Sequence, residues 1–259
     1  MRCAAWSVPR LIVALSGGKD STAMALRLRE VEPDADVTYL ITPTGDELPE
    51  MVEHWRRLEC LLGQSLTSVS ATTLSELIRR FDMLPNSRAR WCTRMLKIEP
   101  CIAWMAKHAT DAVLCVGLRA DEEQRQGLYS EHIPTRFPMR EWGWGIQDVL
   151  AYLDGQGVKV PERTDCARCY AQQLGEWWLL WKQHPEIYAD AEEDEALVSK
   201  ARGGTTLYTF RSPQRDTWPA GLRELRERFE AGYVPPRTRR QLPLFETNDG
   251  GGACRVCRM

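Results

Sequence analysis

The fold of this chain is indicated by one segment, Leu11-Ile12-Val13-Ala14-Leu15-Ser16-Gly17-Gly18-Lys19-Asp20-Ser21. Its first five residues form a short continuous apolar run, which is typical of a strand buried on both faces of a parallel sheet. Residues 20–31 then place apolar side chains at helical spacing, and Pro33 closes that pattern. The segment therefore predicts a strand, a glycine loop and a helix in direct succession.

The same alternation continues for about the first 160 residues. Further strands are predicted over Val37–Ile41, Leu66–Val69 and Ala112–Leu118, and further helices over Leu48–Leu62, Leu74–Phe81, Thr93–His108 and Ile146–Leu153. Such alternation predicts an α/β fold, an open and mostly parallel sheet with helices on both faces. Ligands of these sheets bind at the carboxyl ends of the strands.

The character of the chain changes after about residue 160. A tryptophan-rich helix is predicted over Leu174–Tyr188, with the acidic run Asp190–Glu195 after it, and the chain is rich in proline and glycine from residue 235. We expect a nucleotide-binding domain over 1–165, a helical cysteine-bearing extension over 166–234 and a flexible tail over 235–259.

Composition excludes several classes of protein. The net charge of −2 excludes a general polycation, and the hydrophobic fraction of 43% is enough to form a core. No segment is long and apolar enough to span a bilayer, and the short N-terminal apolar stretch does not resemble a signal peptide. We therefore expect a cytoplasmic protein without membrane contact. Its nine cysteines are not expected to form a disulfide framework, and the grouped ones are expected to serve as metal ligands or redox centres.

The glycine loop has the residue types that bind phosphate. Gly17 and Gly18 allow the backbone to approach a phosphate closely, and the N–H groups at the start of the helix stabilise its charge. Ser16 and Ser21 can donate hydroxyl hydrogen bonds, and Lys19 adds positive charge. Asp20 can hold Mg²⁺, which proteins usually bind through one or two carboxylates and phosphate oxygens. The alternative is an ordinary strand–helix turn, and the spacing matches neither Gly-x-x-x-x-Gly-Lys-Ser/Thr nor Gly-x-Gly-x-x-Gly.

Several motifs in order resemble a known family. Ser16–Ser21 resembles the PP-loop of the ATP pyrophosphatase (adenine nucleotide α-hydrolase-like) superfamily. Four later motifs resemble the phosphoadenosine phosphosulfate (PAPS) reductase branch of this superfamily. They are Thr44-Gly45-Asp46-Glu47, Trp91-Cys92-Thr93-Arg94-Met95-Leu96-Lys97, Gly117-Leu118-Arg119-Ala120-Asp121-Glu122 with Arg125, and the series Pro138, Trp142, Asp148 and Tyr152. The resemblance covers roughly residues 11–170.

This resemblance implies which residues form the site. Adenine nucleotide, as ATP with Mg²⁺, is expected on the glycine loop and on Thr44, Gly45, Gly117, Arg119 and Arg125. The expected catalytic residues are Lys19, Asp20, Lys97 and Arg119.

Two departures from the reductases bear on the reaction. The C-terminal Glu-Cys-Gly-Leu-His-like segment of the reductases is absent here. In addition, the pair Lys19 and Asp20 is similar to the loop of superfamily members that cleave ATP itself, such as the small subunit of ATP sulfurylase and the ATPase of DNA phosphorothioation systems. We therefore expect cleavage of ATP to AMP and pyrophosphate, which activates an acceptor for sulfur transfer, with nucleic acid and a sulfur-donor protein as candidate partners. The alternatives are a thiol-dependent reductase of PAPS or adenylyl sulfate, and a nucleotide- or nucleic-acid-binding module without turnover.

The cysteines supply candidate metal ligands. Cys166-x-x-Cys169 and Cys254-x-x-Cys257 have a spacing that lets two thiolates reach one metal or cluster. The resemblance implies a [4Fe–4S] cluster in which Cys92 takes part. The spacing alone does not distinguish such a cluster from a zinc site. For Cys254 and Cys257 it also allows a redox-active pair. Arg90, Arg94 and Lys97 are expected to lower the pKa of the nearby thiols. Cys101 and Cys115 lie in apolar patterns and are predicted to be core residues.

Three other features each allow a binding role and a structural alternative. A basic stretch around Cys92 predicts an anionic ligand or, alternatively, a solvated surface; it comprises Arg79, Arg80, Arg88, Arg90, Arg94 and Lys97. Trp177, Trp178 and Trp181 are predicted to be core rather than a base-stacking surface. Gln241-Leu242-Pro243-Leu244-Phe245 resembles the peptide that binds bacterial sliding clamps, although a hydrophobic staple of the tail onto the domain is the alternative.

Overall fold

The strands form a single parallel sheet. The structure is a computed structural model that describes residues 10–125, 129 and 133–236. Within these ranges the sheet has five strands in the order β3-β2-β1-β4-β5, and every pairing is parallel. The strands are β1 (Leu11–Ala14), β2 (Val37–Ile41), β3 (Thr67–Ser68), β4 (Val113–Cys115) and β5 (Thr135–Arg136). The predicted open parallel sheet is confirmed, and the unpredicted β5 is too short to produce a sequence pattern.

The strand order reverses beside β1. β2 and β3 extend the sheet on one side of β1, whereas β4 and β5 extend it on the other. Ligands of α/β sheets bind outside the carboxyl ends of the strands at such a reversal. The glycine loop follows β1 and Gly117 follows β4, so the topology brings these two predicted segments to one place.

Helices cover both faces of the sheet. They are α1 (Lys19–Val31), α2 (Pro49–Leu62), α3 (Leu74–Phe81), α4 (Trp91–Thr93), α5 (Glu99–His108), α6 (Pro138–Glu141), α7 (Ile146–Gly155), α8 (Leu174–Gln183), α9 (Pro185–Ala201) and α10 (Leu222–Glu230). Leu11 and Val13 of β1 pack with Met24 of α1, whereas the intervening Ile12 packs with Met105 of α5. This alternation follows from the two-residue period of a strand.

The helix predicted over Thr93–His108 is interrupted. A π-helical turn, Arg94–Ile98, lies between α4 and α5. Pro100 has no N–H to donate to the carbonyl of Leu96, so regular α-helical bonding cannot continue through this segment. π turns occur often at functional sites, and this one carries Lys97.

The helix predicted over Leu174–Tyr188 is two helices. α8 ends before His184, α9 begins at Pro185, and the predicted acidic run lies inside α9. Proline disfavours the helical region for the residue before it, and His184 accordingly has φ −136° and ψ 64°. α8, α9 and α10 bury one apolar cluster against α3, with Trp177 fully buried and Trp178 and Trp181 partly buried beside it. The prediction that these tryptophans are core residues is confirmed.

No helix in the ranges described above combines the length and apolar character that crossing a membrane requires.

Candidate nucleotide site

The glycine loop is held tightly against α2. Gly17 has φ +82°, and a β-carbon at this position would lie 2.2 Å from Cε of Met51 and 2.7 Å from Nε1 of Trp55. The same Trp55 nitrogen donates a hydrogen bond to the carbonyl oxygen of Ser16 over 3.2 Å. Position 17 therefore requires glycine for both its backbone conformation and its space. Met51 and Trp55, one helical turn apart, are functional neighbours that sequence reasoning missed.

The two serines of the loop are hydrogen-bonded to the loop itself. The hydroxyl oxygen of Ser21 accepts from the N–H of Gly17 over 3.1 Å and lies 3.0 Å from the hydroxyl oxygen of Ser16. The Ser16 hydroxyl oxygen also accepts from the N–H of Gly18 over 3.3 Å. These bonds shape the loop before any ligand binds, and α1 begins at Lys19 directly after it.

Three charged side chains are buried beneath the loop. Lys19, Asp20 and Arg119 are 4%, 8% and 5% exposed. Nη1 of Arg119 donates to Oδ2 of Asp20 over 3.0 Å, and Nζ of Lys19 lies 3.4 Å from the same oxygen. Oδ1 of Asp20 has no hydrogen-bond partner among the residues that the structure describes. A buried carboxylate oxygen without a partner, at a helix start that favours anions, fits a Mg²⁺ ion that is shared with phosphate.

Gly117 allows the end of β4 to approach the loop. A β-carbon on Gly117 would lie 3.2 Å from the backbone nitrogen of Ser21 and 3.3 Å from the carbonyl carbon of Asp20. Arg119 follows two residues later and packs behind Asp20, where it also contacts Asp121 through Nε over 2.8 Å. Arg119 thus binds a carboxylate at the start of α1.

A crevice of about 160 Å³ lies at the strand ends. Several predicted residues line it together, namely Ser16, Gly18, Asp20, Ser21, Lys97, Gly117 and Arg125. Residues that were not predicted to bind the nucleotide also line it, among them Thr42, Glu47, Met51, Trp55 and Asp165, together with Cys166, which was predicted as a metal ligand. Arg125 is additionally paired with Glu122 over 3.0 Å. The crevice thus combines phosphate-binding groups from β1 with cationic side chains from the π turn and from the segment after β4.

Thr44 and Gly45 donate hydrogen bonds to a carboxylate of their own turn. Oε1 of Glu47 accepts from the N–H and from the hydroxyl of Thr44, each over 2.7 Å, and Oε2 accepts from the N–H of Gly45 over 3.0 Å. Gly45 has φ +72°, which directs successive N–H groups into one concave nest. Glu47 was part of the motif that carried the family resemblance, but nothing in that motif marked it as the partner of the two residues before it.

The predicted thiols gather in a second, smaller cavity. Cys92, Cys166 and Cys169 line it together with Thr44 and Lys97. Lys97, Asp165 and Cys166 line both this thiol cavity and the crevice, so the two spaces adjoin. The proximity that we expected of the three described cysteines is therefore present.

An ion-pair network holds the turn that carries Cys166 and Cys169. Arg168 donates from Nε to Asp46 over 2.5 Å and from Nη1 to Asp194 of α9 over 2.6 Å. The backbone N–H of Ala167 also donates to the carbonyl oxygen of Asp46. Arg168 is 5% exposed. The turn is thereby fastened to the segment after β2 on one side and to the C-terminal helices on the other.

The expectation that basic residues lower the pKa of the thiols is wrong in its net direction. Burial raises the pKa of Cys92, and the charges of Lys97 and Arg90 oppose this only in part. Burial likewise raises the pKa of Cys166 to about 12 and that of Cys169 well above its ordinary value. Arg94 is directed into solvent and lies 3.3 Å from Glu99. Desolvation outweighs the nearby cations because a thiolate loses its hydration when it is enclosed.

Metal ligation is not established by the described residues. Over residues 10–125, 129 and 133–236, no three His, Cys, Asp or Glu side chains are arranged to hold a metal ion. The other predicted ligands, Cys254 and Cys257, lie outside the described residues, as does the Gln241–Phe245 segment. Cys101 and Cys115 are buried core residues, as predicted, at 1% and 0% exposure. The iron–sulfur cluster and its zinc alternative remain predictions.

Most of the predicted basic stretch faces solvent. Arg79 and Arg80 are exposed on α3, and Arg88 is exposed in the loop before α4. Lys97 is the member of the stretch that lines both cavities. The alternative of a solvated surface thus holds for these three arginines, whereas Lys97 belongs to the site.

Comparisons with known proteins indicate the family of this chain. Ninety-six chains of solved structures match. One of them, a PAPS reductase from Candida auris crystallised as a phosphate complex, has 18% sequence identity and a TM-score of 0.48, over 61% of this chain and 78% of that one. A search of curated protein sequences finds no significant match. The sequence profile of the phosphoadenosine phosphosulfate reductase domain matches residues 10–162, which are 153 of the 259 residues. The chain therefore belongs to the phosphoadenosine phosphosulfate reductase domain family.

Proposed function

We propose that this protein binds ATP in the crevice between β1 and β4 and cleaves it to AMP and pyrophosphate. The observation that carries the proposal is the buried group of Lys19, Asp20 and Arg119 beneath the glycine loop. A carboxylate with one oxygen held by Arg119 and the other without a described partner is suited to a metal–polyphosphate ligand.

Each side chain has a defined role in this proposal. The backbone N–H groups at the start of α1 bind phosphate oxygens, and Lys19 neutralises their charge. The hydroxyls of Ser16 and Ser21 hold the loop in the conformation that receives the phosphate. Arg119 holds one carboxylate oxygen of Asp20 and directs that side chain toward the loop. Mg²⁺ held by Asp20 would supply charge neutralisation on the leaving pyrophosphate. Lys97 and Arg125 contact the anion from the other walls of the crevice.

The proposed reaction is adenylyl transfer followed by sulfur transfer. An acceptor oxygen forms a bond to the α-phosphorus, the bond from that phosphorus to the α–β bridging oxygen breaks, and pyrophosphate leaves. A hydrosulfide, delivered by a sulfur-donor protein, then forms a bond to the acceptor carbon or phosphorus and displaces AMP. Nucleic acid is the acceptor that we propose, and the sliding-clamp contact through Gln241–Phe245 is a further proposal that depends on it.

Two substitutions in the loop test this function. Lys19→Ala should weaken ATP binding about 10- to 150-fold, because it removes charge-assisted hydrogen bonds of about 1.5–3 kcal/mol. Asp20→Asn should lower the rate of pyrophosphate release when the Mg²⁺ concentration is the same. Lys107→Ala, on the exposed end of α5, is the matched control. Calorimetry measures binding and a coupled assay measures pyrophosphate. Release of orthophosphate in place of pyrophosphate, or unchanged ATP affinity in Lys19→Ala, would contradict the proposal.

A thiol-dependent reductase of PAPS or adenylyl sulfate is the second candidate. It is favoured by one observation, the presence of Cys166 in the wall of the nucleotide crevice. Assays with PAPS, adenylyl sulfate and ATP in parallel separate the two functions. Turnover that requires PAPS or adenylyl sulfate and a thiol reductant, with no pyrophosphate from ATP, would establish the reductase instead.

An iron–sulfur cluster is proposed for the thiol cavity. Its support is that Cys92, Cys166 and Cys169 line one cavity, and its fourth ligand would be Cys254 or Cys257. The described thiols by themselves are not arranged as a metal site. Anaerobic purification with iron, sulfide and zinc analysis tests it. Cys92→Ala should lose iron, and truncation before Gly250 should lose iron only if the tail supplies a ligand. Full iron content in Cys92→Ala would remove Cys92 from the ligand set.

A further inference from the structure

Three backbone carbonyl groups of the segment after β4 face the same side of that segment. They belong to Arg119, Glu122 and Arg125, which are spaced three residues apart. The N–H of Glu122 donates to the carbonyl oxygen of Arg119 over 3.2 Å, and the N–H of Arg125 donates to that of Glu122 over 3.0 Å. Because such 3₁₀-type bonding gives three residues per turn, the three carbonyl oxygens lie along one edge of the segment.

The guanidinium of Arg140, in α6, lies on this edge. Its Nη2 carries two hydrogens and donates to the carbonyl oxygens of Glu122 and Arg125 over 2.7 Å each, while Nε donates to that of Arg119 over 3.4 Å. Cζ of Arg140 lies 4.9 Å from the centre of the Phe137 ring, which supports the guanidinium from below. A planar group with several donors suits carbonyls that are distributed along an edge. Arg140 is not one of the described residues that line the crevice.

The position of Arg125 depends on Arg140 more than the position of Arg119 does. Arg119 is fixed to α1 by its ion pair with Asp20. Arg125 lines the crevice and pairs with the side chain of Glu122 over 3.0 Å. The backbone carbonyls of both members of this second pair accept from the same nitrogen of Arg140. One guanidinium outside the crevice thus holds the two residues that direct Arg125.

We propose that Arg140 is a positioning residue that sets Arg125 against the polyphosphate of a bound nucleotide. It acts through the carbonyl groups of Glu122 and Arg125 and makes no contact with the nucleotide itself. Without the guanidinium, the segment keeps only its weaker backbone bonds on this edge, and Arg125 is held less tightly at the crevice. The inference rests on the proposed function, because it takes the ligand of the crevice to be ATP.

Hydrogen–deuterium exchange of the ligand-free, full-length protein tests whether Arg140 holds the segment. With fragmentation that resolves single amides, Arg140→Met should raise the exchange rates of the Glu122 and Arg125 amides about three- to tenfold, the size of one hydrogen bond. The amides of β2 are the internal reference and should not change. Arg136→Met is the matched control, because Arg136 is also partly buried nearby but forms its ion pairs with carboxylates.

Calorimetry with ATP and Mg²⁺ tests whether the segment positions Arg125 for the nucleotide. Arg140→Met should weaken ATP binding about three- to tenfold. In an Arg125→Met background the same substitution should have much less effect, because the side chain that it positions is absent. A general loss of stability would instead lower the affinity equally in both backgrounds. Arg140→Lys, which keeps the charge but not the planar group, provides the same comparison if Arg140→Met does not fold.

Three results would overturn the inference. They are unchanged exchange at the amides of Glu122 and Arg125, unchanged ATP affinity in Arg140→Met, and an equal loss of affinity with and without Arg125. A wild-type protein that binds no ATP would overturn the proposed function and with it the nucleotide role of Arg140. The exchange measurement uses no nucleotide, so the two failures are distinguishable.

Discussion

The guanidinium of Arg119 lies 3.0 Å from the carboxylate of Asp20, although the two residues are 99 positions apart in the chain. This contact joins the end of β4 to the start of α1, on the two sides of the strand-order reversal. It makes the glycine loop and the segment after β4 parts of one charged site. The energetics of this pair can be measured directly.

Replacement of Arg119 should be strongly destabilising. Arg119→Met leaves Asp20 buried with only Lys19 at 3.4 Å, so we expect a loss of about 3 kcal/mol in the free energy of unfolding. The double variant with Asp20→Asn should recover part of that loss while nucleotide binding stays absent. Urea denaturation measures both. Arg226→Met is the control. The side chain of Arg226 is 34% exposed where it makes its ion pairs, so its replacement should cost about 1 kcal/mol or less. Equal losses at the two arginines would contradict the buried-pair interpretation.

Gly17→Ala should cost more than a left-handed backbone alone explains. Gly157 has a similar conformation, φ +65° against +82°, but a β-carbon there would meet nothing within 4 Å. Gly157→Ala should therefore lower stability by about 1 kcal/mol, whereas Gly17→Ala adds overlap with Met51 and Trp55 and should exceed this by about 1–3 kcal/mol. Thermal unfolding and ATP calorimetry are the measurements. Similar costs at both glycines would show that α2 yields easily, and the loop would then not be held as described.

His54 should make stability depend on pH. Burial, aided by the charge of Arg57, lowers the pKa of His54 from 6.5 to about 4. The unfolded chain therefore binds a proton below about pH 6.5 that the folded protein refuses until about pH 4, so stability is lost as the pH falls through this window. The loss attributable to His54 is at most about 3 kcal/mol.

The variant His54→Gln isolates that effect. Its unfolding free energy, measured between pH 7 and pH 4, should fall less steeply than that of the wild type. A wild-type slope in His54→Gln would assign the pH dependence to other groups.

Arg168→Met should release the turn that carries the thiols. It leaves the carboxylates of Asp46 and Asp194 buried without their shared partner, and we expect a loss of about 3–5 kcal/mol at neutral pH. Burial already raises the pKa of Asp194 to about 6. Without Arg168 the folded state favours the neutral acids still more, so the variant should regain stability relative to the wild type as the pH falls from 7 to 5. Denaturation at both pH values tests this, and a deficit that does not change with pH would contradict it.

The fold class and the position of the candidate site could be predicted from the sequence. The apolar run of β1, the glycines after it and the later strand–helix alternation are local patterns with fixed periods, so α1, β2, α2, α3 and the parallel sheet could be predicted from them. The motif residues that meet in the crevice were predictable because parallel strands deliver their carboxyl ends to one edge of the sheet. The strand β5 could not be predicted, because its two residues are too few for a hydrophobic pattern. The helix break at His184 was also missed, because the apolar spacing on its two sides predicts one continuous helix.

Tertiary structure alone decided how the site residues pair with one another. No spacing in the chain indicates that Arg119 binds Asp20, that Arg168 joins Asp46 to Asp194, or that Thr44 stands between Glu47 and Cys166. The net direction of the thiol pKa shifts also depended on packing, because the cations near Cys92 are visible in the sequence whereas its desolvation is not. Hydrogen-bond partners and burial depend on which distant segments the fold brings together. The spacing of residues along the sequence does not indicate these contacts.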